Sequence, residues 1–186
     1  MYPLVGFLVM SLLFMLEQAL AVSIPNGNYR IQQGNRYLSA GKYKSDSIAF
    51  LLPGDDEWEQ IWRVENESDG TVTITSPDTG RFLTLGQGIA QPHAYVMFSR
   101  FWQTWKLEPG SDSGLYAIAY PGGPVHGNTL AIDLSPNDRS TNRLHLEVVN
   151  SESSHAKWSF ERMHGDGKLS SCGPERSQPL FRVQKV

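Results

Sequence analysis

The feature that most constrains this chain is a segment that occurs three times at nearly equal spacing. The copies begin GNYRI, GTVTI and GLYAI, at Gly27, Gly70 and Gly114, which are 43 and 44 residues apart. Each copy ends on an alternating run that contains a tryptophan, at Trp62, Trp105 and Trp158. A fixed period of this length is typical of folds built from one repeated unit. We therefore predict three equivalent repeats, at about residues 26–66, 67–110 and 111–163.

Four short segments in each repeat alternate apolar and polar residues, which is the period-two pattern of a β-strand. Turn pairs such as Asp69-Gly70 and Thr79-Gly80 separate them, and no long helical periodicity occurs after residue 22. Twelve short strands in three units predict an all-β fold, a closed β-trefoil over residues 22–163. A propeller also has four-stranded units, but it needs at least four of them.

The three tryptophans are interpreted as core residues, because a large aromatic side chain at the same place in each repeat would bury about 150–250 Å². Gln60 and Gln103 each precede a tryptophan by two positions. Residues two apart point to the same side of a strand, so each glutamine is expected to pair with turn backbone groups.

The segments Gln60-Ile61-Trp62 and Gln103-Thr104-Trp105 resemble the Q-x-W motif of ricin B-type β-trefoils, and Ala156-Lys157-Trp158 resembles a diverged third copy. The resemblance covers about residues 24–162. It implies a non-enzymatic module that binds glycans or glycoproteins. Because trefoils also host unrelated functions, the motif indicates the fold more specifically than the function.

In that family an Asp, further polar side chains and a stacking aromatic residue form a shallow sugar site in each repeat. The resemblance implies one partial and weak carbohydrate site, in repeat three, consisting of Asp133, Asn142, His145, Asn150 and His155. The stacking position falls near Glu147, and repeats one and two lack the Asp. The alternatives are a turn cap for Asp133 and solvated histidines at positions 145 and 155.

The chain also resembles fungal trefoil inhibitors of serine proteases, the cospin type, over residues 49–56 and in its G-x-Y-x-I strand. That resemblance implies an exposed inhibitory loop at residues 40–47, which contains Lys42, Tyr43 and Lys44. Either lysine could enter a trypsin-like pocket that carries a buried Asp. The alternative is that both lysines are solvated loop residues.

Charge and motifs exclude several other classes of protein. The net charge of −3 and the absence of a basic stripe argue against nucleic-acid binding. The five histidines follow no metal-ligand spacing, and no nucleophile elbow or phosphate-binding loop is present. We therefore expect no catalytic residues, no metal and no cofactor. The single cysteine, Cys172, excludes an internal disulfide.

The two ends of the chain carry separate signals. The apolar run MYPLVGFLVMSLLFML followed by Ala19-Leu20-Ala21 predicts a signal peptide at residues 1–21 and a secreted protein that leaves the membrane after cleavage. We expect this protein to be a monomer. An uncleaved anchor is the alternative, but the run is shorter than the ~20 residues that span a bilayer. Asn66-Glu67-Ser68 is then a candidate N-glycosylation site. Residues 164–186 are expected to form a flexible tail.

Overall fold

The computed structural model describes residues 24–40, 48–54, 60–134, 141–149 and 157–163, and this part of the chain contains twelve β-strands and one short 3-10 helix, Gly86–Gly88. The strands are β1 (Gly27–Gln33), β2 (Arg36–Ala40), β3 (Ala49–Pro53), β4 (Trp62–Asn66), β5 (Val72–Thr75), β6 (Phe82–Leu85), β7 (Ala94–Ser99), β8 (Lys106–Pro109), β9 (Tyr116–Ala119), β10 (Leu130–Leu134), β11 (Leu144–Val148) and β12 (Trp158–Arg162). The predicted all-β chain of three four-stranded repeats is therefore confirmed.

The first and fourth strands of the repeats close into a six-stranded antiparallel barrel. Strand β1 pairs with β4, β4 with β5, β8 with β9, β9 with β12, and β12 returns to β1. The remaining link, between β5 and the start of β8, is the antiparallel bridge between Val72 and Trp105. Closure leaves the barrel without an unpaired sheet edge.

The second and third strands of each repeat form a hairpin: β2–β3, β6–β7 and β10–β11. The three hairpins contact one another in turn. Strand β11 pairs with β7, Ile48 beside β3 bridges to Met97 of β7, and Phe50 of β3 bridges to Arg143 before β11. A closed barrel capped by three hairpins is the architecture of a β-trefoil.

Three equivalent tryptophans join the barrel to its three hairpins. Trp62, Trp105 and Trp158 are almost completely buried. Their indole Nε1 atoms donate hydrogen bonds of 2.8, 2.8 and 2.9 Å to the backbone carbonyls of Leu38, Leu83 and Ile132, each on the second strand of the same repeat. A buried indole N–H needs such an acceptor. These bonds show which residues of the three repeats are equivalent.

The two glutamines differ in what they bind. Gln60 Nε2 donates to the carbonyl of Pro53 at 2.9 Å and to the hydroxyl of Ser39 at 3.0 Å, as expected for a residue that pairs with turn backbone. Gln103 Nε2 instead donates to the carbonyl of its neighbour Thr104 at 2.9 Å. Only Gln60 of these two therefore links its strand to the preceding hairpin.

The leader, residues 1–21, and the tail, residues 164–186, lie outside the described residues, so both remain predictions. Within the described ranges no helix has the length and apolar character needed to cross a membrane.

Candidate functional site

Hairpin β10–β11 carries ionisable side chains on the face opposite the core. Its inward residues, Leu130, Ile132, Leu144 and Leu146, are fully buried in the core. The alternate positions Asp133, His145 and Glu147 point outward, yet their exposed fractions are only 8%, 4% and 6%. Buried ionisable groups are rare unless they are paired, so this face differs from an ordinary solvated sheet surface.

Asp133, His145 and Tyr95 form a row across three neighbouring strands. The register places Asp133 of β10 opposite His145 of β11, and His145 opposite Tyr95 of β7. The rings of His145 and Tyr95 lie 4.6 Å apart between centroids and are tilted by 45°. Tyr95 is 43% exposed. We call these three residues the acid–aromatic row; it combines a carboxylate with a solvent-facing ring.

The carboxylate of Asp133 contacts groups from repeat one and from repeat three. Its Oδ1 accepts a 3.0 Å hydrogen bond from Gln33 Nε2 at the end of β1 and a 2.8 Å bond from the backbone N–H of Leu134. Its Oδ2 lies 3.7 Å from Lys157 Nζ. The carboxylate is thereby oriented as a charged acceptor, and it also ties repeat one to repeat three.

Asn142 lies two residues before β11, where it positions the hairpin of repeat three and is not part of the row. It adopts a left-handed backbone conformation with φ of 57°, which Asn tolerates better than most residues. Arg36 Nη1 donates a 2.7 Å bond to its Oδ1, and its carbonyl accepts a 2.8 Å bond from the N–H of Leu51. Both contacts come from hairpin β2–β3.

The carboxylate of Glu147 contacts a histidine side chain. It lies 3.1 Å from Nδ1 of His93, whose left-handed backbone is fixed by a 2.7 Å bond from its N–H to the carbonyl of Leu146. The carboxylate of Glu147 is therefore engaged with His93. The aromatic surface on this face comes from Tyr95, which belongs to repeat two.

A pocket of about 370 Å³ adjoins Asp133 at the junction of repeats one and three. Its lining residues are Gln33, Asn35, Arg36 and Leu51 from repeat one and Asp133, Leu134 and Lys157 from repeat three. The register of β1 with β12 places Gln33 opposite Trp158, directly beside Lys157. The closure of the barrel therefore builds this pocket from repeat one and repeat three.

Equivalent positions in the other repeats are polar but uncharged. The residues that follow the three tryptophan-bonded carbonyls are Ser39, Thr84 and Asp133, and all three are buried. Repeats one and two lack the carboxylate, and the residues opposite Ser39 and Thr84 are Phe50 and Met97.

The structure brings together only part of the predicted carbohydrate site. Asp133 and His145 are neighbours, and Asn142 lies at the same hairpin. Asn150 and His155 are outside the described residues, as are Lys42, Tyr43 and Lys44 of the predicted inhibitory loop. Sequence reasoning missed Tyr95, Gln33, Arg36 and Lys157. Alternation along β7 indicates that Tyr95 points outward, but no local pattern reveals which strand lies beside it.

The predicted N-glycosylation site can also be compared with the described residues. Asn66 Nδ2 donates to the carbonyl of Ile24 at 2.8 Å and to Oδ1 of Asn26 at 2.5 Å, so in the unmodified chain this amide binds the segment that precedes β1. Its glycosylation stays a prediction. Among the described residues, no group of three or more His, Cys, Asp or Glu side chains is arranged to hold a metal ion.

No protein-family model and no curated protein sequence matches the chain. Several solved structures are similar to this chain. The agglutinin of Rhizoctonia solani superposes with a TM-score of 0.62 at 17% identity, covering 76% of this chain and 99% of the agglutinin. The Macrolepiota procera ricin B-like lectin, solved in complex with lactose, gives 0.61 at 15%, covering 76% and 100%. The designed threefold-symmetric protein ThreeFoil gives 0.61 at 17%, covering 74% and 99%. At these identities the likeness shows the fold, and the chain is a β-trefoil.

Proposed function

We propose that this protein is a non-enzymatic glycan-binding module with one site on the outward face of repeat three. The observation that carries the proposal is the acid–aromatic row, in which the buried carboxylate of Asp133 and the exposed ring of Tyr95 flank His145. A carboxylate accepts hydrogen bonds from sugar hydroxyls, and an aromatic face packs against the C–H side of a sugar ring.

The row supplies the stacking group that position 147 lacks. In the ricin B-type resemblance the aromatic residue belongs to the same repeat as the Asp, whereas here it comes from the neighbouring hairpin. The lactose bound by the Macrolepiota procera lectin supports the proposal to the extent that the same fold carries a sugar in that protein.

Binding at this site is expected to be weak. Hydrogen bonds to a shallow site contribute about 1 kcal/mol each, more when a carboxylate accepts them. A single site has no avidity gain from a second one. A monovalent dissociation constant of order 1 mM, which corresponds to about −4 kcal/mol, is therefore expected.

Titration of the mature chain with sugars, followed by NMR or on a glycan array, tests the proposal. Because Asp133 also orders the repeat junction, Asp133→Asn is preferred to Asp133→Ala: it keeps the size and one acceptor oxygen but removes the charge. We expect Asp133→Asn and Tyr95→Ala each to weaken binding about tenfold, which corresponds to ~1.4 kcal/mol. Trp102→Ala, at another exposed aromatic residue, is the matched control and should bind normally.

Retained binding in both row variants would contradict this site. The same experiment includes a panel of trypsin- and subtilisin-like proteases, because the inhibitor alternative predicts a different result. Protease inhibition that is lost in Lys42→Ala or Lys44→Ala, together with no glycan binding, would replace the glycan proposal by the inhibitor.

Export of residues 22–186 completes the proposal. It rests on the apolar leader and on Ala19-Leu20-Ala21, and it would place a glycan-binding module outside the cell. N-terminal sequencing of protein from the culture medium should begin at Val22. A mature protein that starts at Met1 and stays in the cell would contradict it.

A further inference from the structure

Among the described residues that line the pocket beside Asp133, positive groups outnumber negative ones. Two cationic side chains, Arg36 and Lys157, and one carboxylate, Asp133, are among its lining residues. The described part of the lining thus has an excess of one positive charge, in a protein whose formal net charge is −3. A local charge opposite to that of the whole chain favours an anionic group at this place.

Gln33 adds a specific hydrogen-bonding requirement. A carboxylate can only accept, so the bond to Asp133 fixes the amide nitrogen of Gln33 on that side and leaves Oε1 on the other. Oε1 is buried and has no hydrogen-bond partner among the described residues. Because a buried acceptor without a donor is unfavourable, a ligand hydroxyl that supplies the donor is favoured.

The positive groups are held where they can act on a ligand. One nitrogen of Arg36 is anchored on Asn142 at 2.7 Å, which orients the planar guanidinium. Lys157 lies 3.7 Å from Asp133, and its side chain is 39% exposed. A planar guanidinium matches a planar carboxylate. The volume of about 370 Å³ is at the lower end of the range for small-molecule sites, which suits a single sugar ring.

We propose that this pocket makes the module selective for an acidic sugar, a uronic acid whose carboxylate contacts Arg36 and Lys157 while a hydroxyl donates to Gln33. This inference rests on the proposed glycan-binding function and names its ligand class. Charge-assisted hydrogen bonds are stronger than neutral ones, so the uronic acid should bind at least about tenfold more tightly than its neutral parent sugar, which corresponds to ~1.4 kcal/mol.

The test compares galacturonic acid with galactose, and glucuronic acid with glucose, by NMR titration of the full mature chain. We expect a tenfold or greater preference for the acid at low salt, and a smaller one at 1 M salt, where screening is strong. Lys157→Gln and Arg36→Gln should each reduce the ratio of the two affinities to about one. Lys106→Gln, which removes a lysine outside the pocket, is the matched control and should keep the ratio. Thermal unfolding shows which variants remain folded.

The outcomes separate the two proposals. Binding of the neutral sugars with no preference for the acids would overturn this inference and leave the glycan-binding proposal standing. Acid binding that survives Tyr95→Ala but is lost in Lys157→Gln would support the pocket and overturn the acid–aromatic row. Galactose 6-sulfate binding as tightly as galacturonic acid would overturn selectivity for a carboxylate. No binding of any sugar would overturn both proposals.

Discussion

Gln33 and Asp133 are 100 positions apart in the chain, and Gln33 Nε2 donates a 3.0 Å hydrogen bond to Oδ1 of Asp133 in the folded protein. The bond joins the end of the first strand to the tenth. A single carboxylate therefore contributes to the stability of the closed repeat array as well as to the candidate ligand site.

This relationship predicts that Asp133→Ala destabilises the protein. The variant leaves the amide of Gln33 and the N–H of Leu134 without their acceptor, and such losses in buried sites amount to about 1–3 kcal/mol. Urea unfolding should show a lower free energy of unfolding by that amount. Asp112→Ala, in an exposed loop, is the control and should change it by less than about 0.5 kcal/mol. Equal effects of the two substitutions would argue against a structural role for the Gln33 bond.

The three tryptophan bonds predict similar costs in the three repeats. Replacing Trp62, Trp105 or Trp158 with Phe removes the indole donor and leaves a space in the core. We expect each variant to lose about 2–4 kcal/mol of unfolding free energy. Trp102→Phe, at an exposed position, should be nearly neutral. A loss confined to one repeat would show that the three positions are not energetically equivalent.

Gln60 and Gln103 provide a matched pair within the same motif. Gln60→Ala removes bonds to two groups of the preceding hairpin, so a loss of about 1–3 kcal/mol is expected. Gln103→Ala removes a bond to the next residue only, and a loss below about 1 kcal/mol is expected. Chemical denaturation measures the loss of unfolding free energy in both variants. A larger loss for Gln103→Ala than for Gln60→Ala would contradict this prediction.

The pKa of Tyr29 predicts lower stability in alkaline solution. Burial raises the pKa of this phenol, an effect that the nearby Arg162 opposes and Tyr116 reinforces. Because the folded-state pKa is above the unfolded value, the contribution of Tyr29 is complete below about pH 10 and is lost as pH rises through the folded pKa. Unfolding free energies measured between pH 8 and 11 should fall above pH 10.

The variant Tyr29→Phe isolates this effect. It is less stable at neutral pH, because the 2.5 Å bond from Tyr29 Oη to the carbonyl of Pro25 is lost. Its stability should nevertheless decline less steeply above pH 10 than that of the wild type. Parallel curves for the two proteins would assign the alkaline loss to other groups.

Much of the architecture could be predicted from the sequence. Alternation along a strand and glycine-containing turns are local properties of the chain, so the segments around Gly27, Gly70 and Gly114 were sufficient to predict twelve strands in three repeats. The tryptophans also follow from sequence, because a large apolar side chain at the same place in each repeat is favoured in the core. Asp133 and His145 could be named as a pair, since they lie on consecutive strands of one hairpin.

The composition of the site was decided by the tertiary structure. Tyr95 lies beside His145 because β7 of repeat two pairs with β11 of repeat three, and Gln33 and Lys157 lie beside Asp133 because β12 pairs with β1. These registers join segments far apart in the chain, and the closure of the barrel and the packing of the three hairpins set them. The local periodicity of a strand reflects which of its faces is buried. This periodicity contains no information about which distant strand will lie next to that strand.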